Sequence, residues 1–316
     1  MGEEYSNAGC RTVIQRMSQS SRFHPPRVVR ALVAALVALT TAGALAQTPA
    51  SRGFIWSVER DGKTSWLVGS LHVLTQDAYP LPAAMEQAFT RAKTLIEETD
   101  VNELSSPDMV GIVATKGLFT NGQTLETVLT PSAYAKLTQR MAATGLPIEM
   151  VRMMRPWMVE LTLSGVELQK AGFDPELGID VHYRRKAGDN GMALSMLETA
   201  AEQIDYLAGL PLDVQIAQLQ QTLDEGDAEL KEVREIAAAW RAGDAPAIEQ
   251  LLLKGMKDSP AYYQSLVVNR NRRWMPKIES CLATGNCFVV VGAAHMVGTD
   301  GLVTMLKQKG YKVSQQ

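Results

Sequence analysis

The sequence predicts an α/β fold. It is read as a single domain with a mixed central β-sheet, flanked by helices, behind an N-terminal leader. Two observations predict it. Short β-rich runs cluster at the two ends of the chain that follows the leader, alternating there with helical runs. Between them, from 106 to about 266, helical periodicity dominates. The sheet is therefore expected to be assembled from both ends around a largely helical middle. A two-domain reading finds no Pro/Gly/Ser-rich linker to support it.

Taken in order, Phe54–Val58 and Thr64–Val68 flank Asp61-Gly62, the sequence of a tight hairpin. Pro80-Leu81-Pro82 opens a helix that places Met85, Ala88, Phe89 and Ala92 on one face. Thr94–Asp100 reads as a strand. Thr130-Pro131-Ser132 is a helix start with proline in the first turn. An apolar-periodic segment runs from about 147 to 170. A further helix runs from Gly178-Ile179-Asp180 to Asn190-Gly191, followed by a short strand over Ala193–Leu197. Helices follow at 199–208, 212–224, 227–241 and 245–255, and Pro260 opens one that runs to Cys281. Phe288–Val291 is the continuous apolar run of a strand buried on both faces. A helix from Gly301 to Lys309 and a last strand at Tyr311–Val313 complete the chain.

The leader is read from the first 46 residues. Arg27-Val28-Val29-Arg30 precedes an apolar stretch from Ala31 to Leu45, closed by Ala44-Leu45-Ala46. A basic start, a short apolar run and small residues at a cleavage point make a secretory signal peptide. The apolar run is shorter than the ~20 residues of a membrane span. Met17 is an alternative start. The domain proper is then residues 47–316, expected in the periplasm or secreted, with no transmembrane segment once the signal is removed. Cys10 and His24 leave with the leader. The remaining Cys281 and Cys287 form an even pair across a Gly-Asn turn, read as a local disulfide, with two free buried thiols as the alternative. Net charge is −3, and no basic stripe points to nucleic acid.

The chemistry starts from a repeated phrase. Trp66-Leu67-Val68-Gly69-Ser70-Leu71-His72 and Phe288-Val289-Val290-Val291-Gly292-Ala293-Ala294-His295 are both apolar runs ending in Gly-x-x-His, in a chain with 4 histidines. In open α/β sheets the ligand site lies beyond the carboxyl ends of the strands. A histidine delivered there through a glycine is placed for metal ligation or proton transfer. Two strand-end histidines held by structural hydrogen bonds are the plainer alternative. Glu97 and Glu98 close a strand, where an unpartnered buried carboxylate is costly, so one of them is expected at the sheet's edge with a partner. Two imidazoles and a carboxylate can hold a divalent ion and leave a position for water. Arg270 can clamp a carboxylate or an oxyanion, or simply pair with Glu198 or Asp180. Helix capping is the alternative reading of Glu198. His182, inside a helix, is read as structural, and Met150, Met153, Met154 and Met158 as packing residues.

These motifs, in this order, resemble the TraB/GumN family, which is related to the Tiki metalloproteases. The resemblance rests on Leu67–Leu74, Leu95–Asp100, Arg155-Pro156-Trp157, Gly178-Ile179-Asp180, Leu197-Glu198-Thr199 with Gln203, Asn269-Arg270-Asn271 and Val291–Gly298. It covers about 54–314. It implies a metal-dependent hydrolytic site made of His72, His295 and Glu98. Glu97 stands where the family usually has an apolar residue, so the motif alignment favours Glu98.

The expectation is an exported metal-dependent hydrolase, a peptidase acting on a peptide or protein. Manganese, cobalt, zinc and iron all suit the donor set. Glu97 or Glu198 is available as general base. The alternatives are a catalytically silent periplasmic binding protein for signalling peptides or polysaccharide export, and a module that scavenges metal or haem iron.

Overall fold

Asp61 and Gly62 take φ values of 50° and 74°, the left-handed pair of a two-residue turn that matches strand twist. That turn joins β1 (Ile55–Arg60) to β2 (Lys63–Ser70) as an antiparallel hairpin. The computed structural model describes residues 53–316 apart from 101, 102, 104 and 105. The expected leader, with Cys10 and His24, lies outside the described residues.

The remaining strands are β3 (Thr94–Glu97), β4 (Ala193–Met196), β5 (Cys287–Gly292) and β6 (Lys312–Gln315). They form one six-stranded sheet in the order β4-β3-β5-β2-β1-β6. The β4–β3, β3–β5 and β5–β2 pairings are parallel, and β1 runs antiparallel to both β2 and β6. The fold is thus the expected α/β architecture with a mixed sheet drawn from both ends. β5 lies between β3 and β2, and all its residues are buried, as its unbroken apolar sequence predicts.

The sheet packs into the main core, which includes Phe54, Leu67, Phe89, Tyr183, Trp274 and Phe288. A second core binds the helical middle together through Leu125, Leu137, Met141, Val159, Leu163 and Leu219. Cys281 and Cys287 form the disulfide, with Cα atoms 6.1 Å apart, tying the helix Asn269–Leu282 to the start of β5. No helix among the described residues is long and apolar enough to cross a membrane.

Three expectations need correction. The strand expected over Thr94–Asp100 ends at Glu97, so Glu98 lies just beyond its last laddered residue. The segment from 147 to 170 is not one helix. Pro147 leads a 3-10 turn at Ile148–Met150, and Pro156 begins the helix Pro156–Lys170. Proline lacks an N–H and restrains its predecessor, so Pro156 sits in a first turn and cannot continue an earlier helix. The helix opened by Pro260 is interrupted by a π turn at Gln264–Val268, immediately before Arg270.

Candidate functional site

Four adjacent parallel strands deliver their chemistry at one edge. His72 follows β2, His295 follows β5, Glu98 follows β3 and Glu198 follows β4, all beyond the carboxyl ends. Ser70 of β2 is in register with Gly292 of β5, so the two Gly-x-x-His phrases run side by side, offset by one residue. The amide of Glu198 donates to the Glu98 carbonyl at 2.9 Å, carrying the β3–β4 pairing past the strands and holding both glutamates together.

The two motif glycines have different reasons. A β-carbon on Gly69 would fall 2.3 Å from the Phe54 ring, so this glycine lets the hairpin close on itself. A β-carbon on Gly292 would stand inside the site. It would lie 3.3 Å from Glu98 Oε1, 3.6 Å from His72 Nε2 and 3.5 Å from His295 Cδ2. The two histidines and the glutamate therefore surround one point. The Gly292 N–H also donates to Glu98 Oε1 at 2.6 Å.

Each imidazole is held from behind. His72 Nδ1 lies 3.3 Å from Asp180 Oδ2, and Asp180 Oδ1 accepts from the Ser70 hydroxyl at 3.0 Å. Gly178 lets the helix carrying Asp180 approach, because a β-carbon there would sit 2.5 Å from the His72 carbonyl oxygen. His295 Nδ1 lies 2.7 Å from Asn271 Oδ1. Asn271 Nδ2 is spent on the carbonyls of His295 and Asp300, so Asn271 Oδ1 is the acceptor and His295 Nδ1 carries the proton. His295 Nε2 is left with its lone pair turned to the site.

Arg270 occupies the centre. Its Nη1 donates to His295 Nε2 at 3.2 Å. Its Nη2 reaches Glu98 Oε2 at 2.5 Å and Glu198 Oε1 at 2.7 Å. Trp274 Nε1 donates to Glu198 Oε2 at 2.8 Å, and Gln203 Nε2 to Glu98 Oε2 at 3.1 Å. Of the two partners the sequence offered for Arg270, Glu198 is the one it meets, together with Glu98, while Asp180 belongs to His72. Glu97 belongs to a separate pair with Arg184, which also reaches Asp100. Of the two glutamates, Glu98 is the one that lies beside the histidines.

Protonation follows from these surroundings. Asp180 raises the His72 pKa from 6.5 to about 9 against the opposing effect of burial, although the side chain is 59% exposed and solvent screens part of that field. Burial pushes His295 down to about 3, which keeps it neutral. Burial opposes the charge of Glu98, but Arg270, the histidines and the Gly292 N–H together hold it well below the usual carboxylate range. Burial raises Glu198 despite Arg270. It also lifts Glu97 to about 7, and Glu97 Oε1 is buried without a hydrogen-bond partner.

His182 stays apart, beside Glu86 and packed on Tyr79 and Tyr183, as a structural residue. Sequence reasoning missed the restraint of His72 by Asp180, that of His295 by Asn271 and the pairing of Glu97 with Arg184. Asp180 and Asn271 stand in motifs already singled out, but sequence carries no signal of which strand-end histidine each would meet. Among the described residues, no three His, Cys, Asp or Glu side chains are gathered closely enough to hold a metal ion as they stand. The guanidinium of Arg270 bonds to both Glu98 and His295.

No solved structure matches the chain significantly. An uncharacterized protein of Shigella flexneri, YbaP, is 26% identical over 243 residues, covering 77% of this chain and 88% of its own. Its namesake in Escherichia coli K12 is 26% identical over 241 residues, covering 76% and 87%. A zebrafish (Danio rerio) protein named metalloprotease TIKI1 is 21% identical over 334 aligned positions, covering 86% of this chain and 65% of its own. The pattern of the TraB/PrgY/gumN family matches residues 54–315, nearly everything the structure describes, and the chain belongs to that family.

Proposed function

We propose that this protein is a metal-dependent hydrolase that acts on peptides outside the cytoplasm. The observation that carries the reading is the convergence of His72 Nε2, Glu98 Oε1 and the His295 ring on the space kept open by Gly292. The donor set fits a divalent ion. Each imidazole has its Nδ1 engaged by an oxygen and its Nε2 side toward the site, the second-shell pattern of metal-binding histidines. Charge supports the fit as well. Asp180, Glu98 and Glu198 set three negative charges against the one guanidinium of Arg270, and a divalent ion in exchange for the His72 proton brings this set to neutrality. The distant likeness to a protein named a metalloprotease points the same way. The disulfide and the expected signal peptide support export.

When bound, a divalent ion at this position would supply Lewis-acid polarisation of a carbonyl and a lowered water pKa. This chain's own residues do the rest. Glu198 and Trp274 anchor Arg270, so releasing His295 leaves the guanidinium in place with Nη1 free to meet a developing oxyanion. Of the two candidate bases, both oxygens of Glu198 are taken by Arg270 and Trp274, whereas Glu97 keeps one oxygen unpaired.

A second reading is favoured by Arg270 itself. Its bonds to Glu98 and His295 satisfy those groups without a metal, as a silent binding scaffold requires. Purified protein assayed for bound metal, and for peptide cleavage with and without chelator, separates the two. Chelator-sensitive cleavage lost in His72→Ala and His295→Ala supports the hydrolase. Peptide binding with no bound metal and no cleavage under manganese, cobalt, zinc or iron supports the scaffold.

A further inference from the structure

The edge that carries the charged residues faces a cleft of about 600 Å³. Its other walls are of opposite character. Leu161 comes from the helix Pro156–Lys170 and Val181 from Ile179–Asp189. Ile204 and Leu207 come from Ala200–Ala208, three residues apart and so on one helix face. Tyr262 and Leu266 come from the short helix and π turn over 260–268. All six side chains are only partly covered, and Leu161 is 52% exposed. Apolar surface kept wet in this way is unfavourable, and its concentration in a concave site beside a few polar groups marks a ligand pocket.

We infer that this cleft binds a peptide through a bulky aliphatic or aromatic side chain seated against Leu161, Ile204, Leu207 and Leu266, and that it does not accept carbohydrate. The inference deepens the proposed hydrolase and rests on it for the peptide nature of the ligand. The apolar wall works against a sugar. A sugar brings a hydroxyl on most of its carbons, and each loses its water on entering. The polar edge of the cleft has hydrogen-bonding groups, but Glu98, Asp180, His72 and Arg270 are already paired with one another or with Glu198. Among the six wall side chains, only Tyr262 carries a polar atom to replace that water. The same wall meets an apolar side chain with matched surface. Acidic side chains are disfavoured too, because Glu97, Glu98 and Asp180 lie at the polar side of the cleft and the cations there, Arg270 and His72, are already paired with Glu98, Glu198 and Asp180.

The test uses the full chain as purified, with its metal content measured. Peptides that differ at one central residue (Leu, Phe, Ala or Asp) are titrated by fluorescence anisotropy, beside a labelled neutral oligosaccharide of similar mass. The Leu and Phe peptides are expected to bind about tenfold or more tightly than the Ala peptide, with Asp weakest. No saturable oligosaccharide binding is expected. Leu161→Asp and Ile204→Asp should each erase most of the Leu-over-Ala preference while metal content stays the same. Leu161 is the safer site, because its exposure leaves the fold untouched by a charge. Equal affinity for the Leu and Asp peptides, or saturable binding of the oligosaccharide, would overturn the inference. Leu-selective binding without cleavage under any of the four metals would sink the hydrolase instead and leave this pocket standing.

Discussion

His72 and His295 end the same four-residue phrase on neighbouring parallel strands, yet they live in opposite surroundings. The His72 side chain is 59% exposed and backed by a carboxylate, Asp180. The His295 side chain is 6% exposed, backed by the neutral Asn271, and packed at a tilt against Trp274 with ring centroids 4.5 Å apart. One ring is held toward the charged form and the other toward the neutral form. The motif sets where an imidazole is delivered. The residue behind it, supplied by a distant helix, sets which proton it carries.

The sharpest way to break the comparison is to remove Arg270, which touches the His295 side and not Asp180. Arg270→Met leaves Glu98 and Glu198 as buried carboxylates with no cation between them. A loss of about 3–5 kcal/mol is expected in urea unfolding, as for other buried pairs deprived of one partner. An unchanged midpoint would mean that the two carboxylates are less buried than the fold requires.

Next in size come the two restraining residues. Asn271→Ala and Asp180→Asn should each weaken metal affinity by roughly 10–100-fold, read by competition with a fluorescent chelator. The two sides are expected to differ in kind. Nitrogen-15 NMR of metal-free Asn271→Ala should show His295 losing its Nδ1–H preference. Asp180→Asn should keep the His72 orientation and lower its charge. Equal tautomer populations for His295 in the unaltered protein would contradict the assignment of its proton to Nδ1.

Much of this site was legible in the sequence. The Gly-x-x-His repeat located both histidines, and the Glu97-Glu98 pair located the carboxylate, because a strand end is a local property that glycine and apolar runs mark. The restraining partners were not legible in the same way. Asp180 reaches His72 from a helix within the long middle segment, and Asn271 reaches His295 from a helix that follows a π turn. Chain spacing does not report such meetings. The end of β3 was also misplaced, since Thr94–Asp100 has strand composition throughout, but only Thr94–Glu97 finds ladder partners.

A smaller effect separates the histidines by pH in the metal-free protein. The folded chain holds the His72 proton up to about 9, whereas the unfolded chain releases it near 6.5. That contribution is fully present below 6.5 and is lost as pH rises toward 9. For His295 the sign reverses. The unfolded chain takes up a proton below 6.5 that the folded chain refuses until about 3, so stability falls with acid across that range. Asp180→Asn should flatten the alkaline limb of a stability-versus-pH curve; at the acid end it should remove only the contribution of Asp180's own depressed carboxyl and leave that of His295 in place. An alkaline limb as steep as before would show that Asp180 is not what holds the His72 proton.

The least perturbing change sharpens the comparison from outside. His182 lies on the same helix as Asp180, two residues further on, but its Nε2 faces Glu86 at 3.3 Å and its ring packs on Tyr183. It therefore shares the chemistry of the two site histidines and none of their geometry. His182→Gln should cost about 1 kcal/mol or less, the worth of one partly exposed polar contact, with metal content unchanged. A drop in bound metal matching that of His72→Ala would place a ligand on the wrong face of this helix. It would undo the assignment of the site to the strand ends.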